Sequence, residues 1–453
     1  MDSKRLFLFN TILFFSITVN TAFAQVIAGP MPGHVELRTA KIWVEVKPGS
    51  AVELWYWKKN EPASAKQLGK KTPVDSWFAP VTFDIVALDP NTTYEYAVVA
   101  GFSSKKPAKA DGEFTTLELW QYRKPAPDFS FLTGSCSYFN EPKFDRPGIP
   151  YGKDSSIFVS MAKENASFML WLGDNWYTRE VDFFSKWGLW YRASRDRSLP
   201  ILQPFLRSMP HYAIWDDHDY GPDNGDKSYK FKETSRDVFV NYWANPTYGQ
   251  DGKGIYSTVN YGDCDFFLMD DRYFRSNDDM AAMAYGQPNP DKRMWGTVQM
   301  DWLKNALLHS RAPFKFIVTG SQTLNLSSPY DCLQNYPAEF NELMAFLSAE
   351  KINGVLFLTG DRHHSEVIRY DRLSDYTLYD ITSSPLTSGV AKVSGKDKEN
   401  PNRIPNTLVE AQNYTRISLS GKPKERKLTV EFIGVSGNKL TEWSVTEQEL
   451  KNK

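Results

Sequence analysis

Four short polar clusters contain residue types that hold metal ions and move protons. They are Gly134-Ser135-Cys136, Gly173-Asp174-Asn175-Trp176-Tyr177, Asp216-Asp217-His218-Asp219 and Gly360-Asp361-Arg362-His363-His364. This set suits hydrolysis of a phosphate ester. Such esters resist attack because water is a poor nucleophile, the phosphoryl group is anionic and the leaving alkoxide is unstable. Two cations about 3.5 to 4 Å apart address all three difficulties. The chemistry requires a bridging carboxylate, several terminal ligands and a proton source near the leaving oxygen.

Asp174 follows a glycine at the end of an apolar run, where a sharp exit turns its carboxylate inward; it is the expected bridge. Tyr177, three residues on, returns to the same metal if the segment makes one tight turn. A phenol loses its proton only near about pH 10, so a tyrosinate ligand calls for a strongly Lewis-acidic ion such as Fe(3+). Cys136 would be deprotonated by the same metal. In the third cluster Asp217 offers a metal ligand and His218 a proton for the leaving group. Asp361 and His363, alternating around Arg362 in an extended segment, would point the same way and close the site. Arg362, with Arg272 and Arg275, offers planar guanidinium forks for phosphate oxygens.

Taken singly, each cluster also has a plain structural reading. Cys136 fits a buried small hydrophobe, Asp174 a cap at a strand-to-helix turn, and Asp216 to Asp219 a solvated acidic turn. Arg272 and Arg275 fit ordinary ion pairs equally well. The conjunction argues otherwise, because three of only six histidines fall in two of the clusters.

Positioning these residues falls to short buried strands. The runs Phe129 to Thr133, Phe168 to Leu172, His211 to Trp215 and Val355 to Thr359 are β-branched, aliphatic or aromatic and end abruptly in polar residues. In α/β sheets ligands bind beyond the carboxyl ends of parallel strands. Helical spacing is read at Asp154 to Asn165, at Met300, Leu303 and Leu307, and after Pro337. Further strands are expected at Asp265 to Asp270 and Phe314 to Gly320, and the last section is strand-like throughout. A layered α/β architecture of two sheets follows. Upstream, Ala40 to Val46, Ala51 to Trp57, Val81 to Val86, Tyr94 to Val99 and Gly112 to Thr116 alternate as strands of a small β-sandwich. Leu88 to Tyr96 reads as a proline turn feeding a tyrosine corner.

The chain has 453 residues and opens with Lys4 and Arg5, an apolar stretch to about Val19 and Ala22-Phe23-Ala24, the pattern of a cleaved secretory signal peptide. Expected divisions are residues 1–24 as signal peptide, 25–118 as β-sandwich, 119–127 as linker and 128–453 as catalytic domain. An exported protein, periplasmic or secreted and without a membrane span, is the corresponding expectation. With 53 basic and 54 acidic residues there is no basic field for stable nucleic-acid binding, and a small substrate fits better. Three cysteines are too few for a disulfide scaffold; Cys264 and Cys332 either pair or are simply buried.

Six motifs occur in order: Gly134-Ser135-Cys136; Gly173-Asp174 with Tyr177; Trp215 to Asp219; Asp270 with Arg272 and Arg275; Gly360-Asp361 with His363; and Thr382 to Thr387. In this the sequence resembles the PhoD-like alkaline phosphatase and phosphodiesterase family. The resemblance implies a calcineurin-like metallophosphoesterase fold, a sandwich of mixed β-sheets flanked by helices and preceded by a small all-β fibronectin- or Ig-like domain. It also implies Fe(3+) and Ca(2+), with another divalent ion as the alternative at the second site, and places Cys136, Asp174, Tyr177 and Asp361 near the iron and Asp174, Asp217 and His363 among the other metal-site residues. Asn224, in Gly221 to Asp226, is the matching calcium contact, with Asp223 competing. Arg362 and His364 depart from the plainer Gly-Asp-x-His form. The expected activity is hydrolysis of phosphate monoesters or diesters through in-line attack by a metal-bound hydroxide. The alternatives are a diesterase for lipid or nucleotide esters and, from another class, a carbohydrate- or protein-binding module with a degenerate enzyme domain.

Overall fold

The computed structural model describes residues 25–71, 77–101 and 108–452; the expected signal peptide lies outside the described residues. Strands β1 (Val26–Val35), β2 (Thr39–Val46), β3 (Val52–Lys58), β4 (Lys66–Lys71), β5 (Ala79–Val86), β6 (Thr93–Ala100) and β7 (Ala108–Thr115) come first. They form a three-stranded sheet β1-β2-β5 and a four-stranded sheet β4-β3-β6-β7. Alternating buried positions such as Val52, Leu54 and Tyr56 meet Phe83, Ile85 and Tyr96 in a small core of their own. The tyrosine corner is present, with the Asp89 N–H donating to the Tyr94 hydroxyl at 2.9 Å. Sequence patterning does not reveal β1, because its glycines and prolines (VIAGPMPGHV) read as loop; bulged pairing with β2 accommodates them.

The remaining elements in chain order are β8 (Phe129–Gly134), α1 (Ile157–Met161), β9 (Met169–Leu172), α2 (Lys186–Arg197), α3 (Gln203–Ser208), β10 (His211–Ile214), α4 (Asp217–Tyr220) and α5 (Lys232–Tyr242). Then come β11 (Ser257–Tyr261), β12 (Cys264–Leu268), β13 (Met283–Ala284), β14 (Gln287–Pro288), α6 (Thr297–His309), β15 (Phe314–Val318), α7 (Pro337–Ala349), β16 (Val355–Thr359), β17 (Glu366–Tyr370) and β18 (Leu378–Thr382). α8 (Gly395–Lys398), β19 (Asn413–Ser420), β20 (Lys427–Gly434) and β21 (Lys439–Thr446) complete the set. Two six-stranded sheets, ordered β10-β9-β8-β19-β20-β21 and β11-β12-β15-β16-β18-β17, pack face to face. Aromatic rings join them: Phe131 of the first sheet meets Phe266 of the second edge-on at 5.2 Å and Phe316 at 5.8 Å. Two pairings in the first sheet and three in the second follow the parallel rule that loads strand ends, β8 with β9 and β9 with β10 in the first, β12 with β15, β15 with β16 and β16 with β18 in the second. The four loaded runs therefore do not belong to one sheet; β16 brings its end from the facing sheet.

Helices α6 and α7 follow the expected spacing, burying Met300, Leu303 and Leu307, and Phe340, Leu343 and Leu347. The helix expected over Asp154 to Asn165 is only Ile157–Met161, with the Asp154 carboxylate accepting from the Ser156 N–H. Cys136, Cys264 and Cys332 are all free and buried, so Cys264 and Cys332 form no disulfide. Among the described residues no helix is long and apolar enough to cross a membrane.

The small sandwich docks on the larger body through β1 and β2. Trp43 joins the main core and donates its indole N–H to the Asn241 carbonyl at 2.8 Å. Beside it, Glu45 is buried and accepts hydrogen bonds from Ser194 at 2.7 Å and Tyr242 at 3.0 Å. Burial pushes its carboxyl from 4.5 up to about 7, against the pull of those two hydroxyls and of Arg197. Between those two values the unfolded chain ionises Glu45 while the folded protein keeps the proton, so rising pH removes stability across that window, on the order of 3 kcal/mol at its upper end. Glu45→Gln should flatten the fall in Tm between about pH 5 and pH 8 relative to the parent protein. Parallel melting curves for the two proteins would show that this carboxyl is not protonated in the folded state.

Candidate metal centre

The strand ends that carry the site are bent by residues in the left-handed region. Cys136 has φ 60°, Asp174 52°, Asp361 63° and His363 57°, and Asn224 in the neighbouring loop has 53°. Such conformations cost on the order of 1 kcal/mol or more for a residue with a Cβ, and surrounding structure must hold them. It does so with backbone hydrogen bonds. Ser137 donates to the Asp174 carbonyl at 2.8 Å, and Thr387 and Ser388 donate to the Cys136 carbonyl at 3.2 and 3.0 Å. Gly173, at φ 87°, must lack a side chain, since a Cβ there would lie 2.7 Å from that of Asp216. The same holds at Gly360, where a Cβ would meet Ser135 at 2.7 Å.

The bends bring donor atoms into two groups that share Asp174. Ligand atoms of Cys136, Asp174 and His363 lie within 4.8 Å of one another, as do those of Asp174, Asp217 and His218. Tyr177 donates its hydroxyl to Asp174 Oδ2 at 2.9 Å and stands 3.2 Å from His363 Nε2. His363 Nδ1 lies 2.8 Å from the Gly389 carbonyl, an acceptor that fixes the proton on Nδ1 and leaves the Nε2 lone pair facing the first group. Asp217 Oδ2 accepts from the Asn224 N–H at 2.8 Å. A cleft of about 590 Å³ is lined by Asp174, Asp217, His218, Asn224, Arg362 and His363, together with Asp361.

The electrostatics favour cations. Burial, then Asp217 and Cys136, raise the Asp174 carboxyl well above the carboxylate range. Burial, opposed by Arg362 and reinforced by Asp331 and Asp217, brings Asp361 to about 6, and burial with Asp361 lifts Cys136 to about 11. Burial also works against ionising Asp217, yet His218, Arg272 and the Asn224 N–H hold it well below the ordinary range. Carboxyls and a thiol crowded so closely, with no cationic side chain paired to Asp174, form a donor set that fits metal ions: sulfur, phenol oxygen and imidazole on one side of Asp174, carboxylate oxygen on the other.

The grouping differs from the expected one in three respects. His363 falls with Cys136 rather than with Asp217, because both Asp361 and His363 are left-handed and do not alternate along an extended segment. Asp361 lines the cleft but stands outside both donor groups. Arg272 and Arg275 do not reach the cleft as phosphate clamps. Arg272 is buried, donating from Nε to Asp216 at 2.6 Å and from a terminal nitrogen to Asp331 at 3.0 Å, while Arg275 pairs with Asp331 at 2.7 Å and Asp278 at 2.8 Å. Their charge is already matched by carboxylates. Arg362 does line the cleft, its guanidinium 4.4 Å from the Tyr330 ring and 3.3 Å from Asp397.

Residues not anticipated from sequence complete the site. Ser384 donates to Cys136 Sγ at 3.1 Å and accepts from the His363 N–H at 2.9 Å, linking two ligands from one hydroxyl. Asp219 accepts from the N–H of Asn175 at 2.9 Å and of Asp216 at 3.0 Å, tying the second cluster to the third. Tyr151 brings its hydroxyl within 2.9 Å of His363 Nδ1. Ser384 sits in the Thr382 to Thr387 motif and Asp219 in the acidic cluster, so both carried a signal; the Pro- and Gly-rich stretch Lys143 to Lys153 reads as a cleft-shaping insertion, but nothing in it marks Tyr151 itself.

A family model described as PhoD-like phosphatase matches residues 131–434. Alkaline phosphatase D of Bacillus subtilis (strain 168) is 24% identical over 323 residues, 61% of this chain and 52% of that protein, so the match spans about half the relative's length. The solved structure of PhoD superposes with a TM-score of 0.73 at 18% identity, covering 94% of this chain and 89% of that one. Purple acid phosphatase PPD1 from yellow lupin (Lupinus luteus) seeds gives 0.64 at 10% identity, covering 92% and 74%. The two facing mixed sheets thus form a metallophosphoesterase fold. With two thirds of its length matched by one model and its motifs gathered at one set of strand ends, this chain belongs to the PhoD-like phosphatase family.

Proposed function

We propose that this protein is a metal-dependent phosphoesterase, exported by the leader at residues 1–24, acting on phosphate monoesters or diesters. The observation that carries the reading is the sharing of Asp174 by two donor groups at the ends of strands from facing sheets. Cys136, Tyr177 and His363, with Asp361 nearby, would hold iron as Fe(3+); Asp217 and Asn224 would hold Ca(2+); and Asp174 would serve both. Bound cations supply an activated water and neutralise charge on the phosphoryl oxygens.

The chain's own groups do the rest. His218 stacks on Tyr177 with ring centroids 4.2 Å apart, which orients the imidazole at the cleft wall. Burial lowers its affinity for a proton, and Asp217 and Asp223 work in the opposite direction. An arriving phosphate adds negative charge beside the ring and favours the imidazolium that can protonate the leaving oxygen. Arg362, held against Tyr330 and Asp397, presents guanidinium N–H groups to a phosphate oxygen. Arg272 acts one layer behind, offsetting Asp216 and favouring ionised Asp217.

Purified protein should contain iron and hydrolyse a phosphomonoester or a phosphodiester, and chelation should abolish turnover until metal is restored. Metal-replete protein inert towards a monoester, a nucleotide diester and a phospholipid would overturn the reading. The iron-loaded protein should also show a visible absorption band that Tyr177→Phe removes; a colourless iron-loaded protein would exclude the phenolate ligand.

A second experiment separates charge from fold. Asp174→Asn should eliminate metal retention and lower kcat by at least about 100-fold. The same change removes a buried repulsion in the metal-free protein, whose Tm should rise by about 2 °C. A fall in metal-free Tm would mean that Asp174 is structural rather than held for metal.

A further inference from the structure

Beside the metal cleft lies a second groove of about 470 Å³. Tyr138, Pro147, Ile149, Pro150, Phe183 and Pro222 contribute its apolar lining, and the two spaces share Tyr151, His218 and Asp223. Its volume falls within the ordinary range for small-molecule sites. Ile149 is 89% exposed, on a loop that prolines pre-order, so folding alone gives no reason for its placement.

The polar groups around this groove are already engaged. Arg179 is bound to Asp145 at 2.9 Å and to the Phe139 carbonyl at 2.7 Å; Arg146 pairs with Glu180 at 2.9 Å. Thr178 donates to the carbonyls of His218 and Gly221. At its edge Asp223 stands 3.9 Å from His218 Nε2, and the exposed Arg146 guanidinium is turned to Glu180. With its charged side chains paired at the rim, the ring faces and prolines of the groove favour an apolar group over a polyol.

Resting on the phosphoesterase reading, we propose that this groove is the subsite for the leaving group, and that the preferred substrates are esters of apolar aryl or alkyl alcohols. His218 stands on the shared wall. With the phosphoryl group over Asp174 and Asp217, its imidazole lies where the ester oxygen must pass from one space into the other. A water oxygen bonds to phosphorus and loses a proton as the P–O bond to the alcohol breaks, the leaving oxygen takes a proton from the His218 imidazole, and the apolar alcohol leaves along the groove.

The test compares kcat/KM for benzyl phosphate and octyl phosphate with that for glycerol phosphate, beside calorimetric titration of the same metal-replete protein with benzylphosphonate and methylphosphonate. A preference of about tenfold or more for the apolar member is expected in both, and Ile149→Asp should reduce each ratio severalfold. The aryl and alkyl arms show which form of apolar alcohol the groove takes. Hydrolysis of all esters with no preference, or ratios unchanged in Ile149→Asp, would overturn the subsite and leave the enzyme reading standing. Preferential binding of benzylphosphonate without hydrolysis of any ester would support the subsite and overturn the enzyme reading; absence of both would overturn the two together.

Discussion

The structure depends on keeping acidic groups concentrated and buried. Asp174, Asp216, Asp217, Asp219, Asp270 and Asp271 are all 5% exposed or less, a density of carboxyls that water would ordinarily have to solvate. Each is held by a different compensation. Asp219 receives backbone N–H groups, Asp216 receives Arg272, and Asp270 receives the Trp215 indole at 2.8 Å with the N–H groups of Tyr273 and Ile255. Asp174 is the exception: it meets a hydroxyl, a thiol and a weak backbone donor, with no cationic side chain paired to it. The compensation is graded so that the uncompensated charge is left where the donor groups overlap.

That grading explains why arginines sit behind the cleft and not in it. Arg272 and Arg275 share Asp331 and form a buried chain of alternating charge, one shell away from the ligands. A guanidinium at Asp174 itself would fill the place a cation needs. Arg362 can face the cleft because Asp397 and the Tyr330 ring hold it to one side.

Much of this was legible in the chain. Glycine followed by aspartate after an apolar run marks a strand end, and Cys136, Asp174, Asp217, Asp361 and His363 all stand where such reading places them, beyond β8, β9, β10 and β16. Direction was not legible. Alternation around Arg362 suggested that Asp361 and His363 share a face, whereas left-handed backbone at both redirects them, in a segment held by hydrogen bonds from the Gly360 N–H to the Gly320 carbonyl and from the His363 N–H to the Ser384 hydroxyl, both distant in sequence. Burial of arginines was equally hidden, since Asp331, which neutralises both, lies more than fifty residues downstream in a stretch without periodicity. Strand β1 was hidden by its own composition, as its proline and glycine content is tolerated only through bulges and docking contacts that a local window does not contain.

The pairing of β8 has a consequence for the order in which the molecule assembles. This strand carries Cys136 just beyond its end and lies inside its sheet, parallel to β9 on one side and antiparallel to β19 on the other. The β9 neighbour arrives a few dozen residues later in synthesis, but β19 is made only near the end of the chain. Until then β8 keeps an open edge, and the Cys136 turn lacks the Leu386, Thr387 and Ser388 donors that anchor it. The small sandwich, whose pairings are local, is complete long before. The protein thus joins a module whose strands are all made early to a body of long-range pairings, in which the metal-binding end is among the last places to acquire its shape.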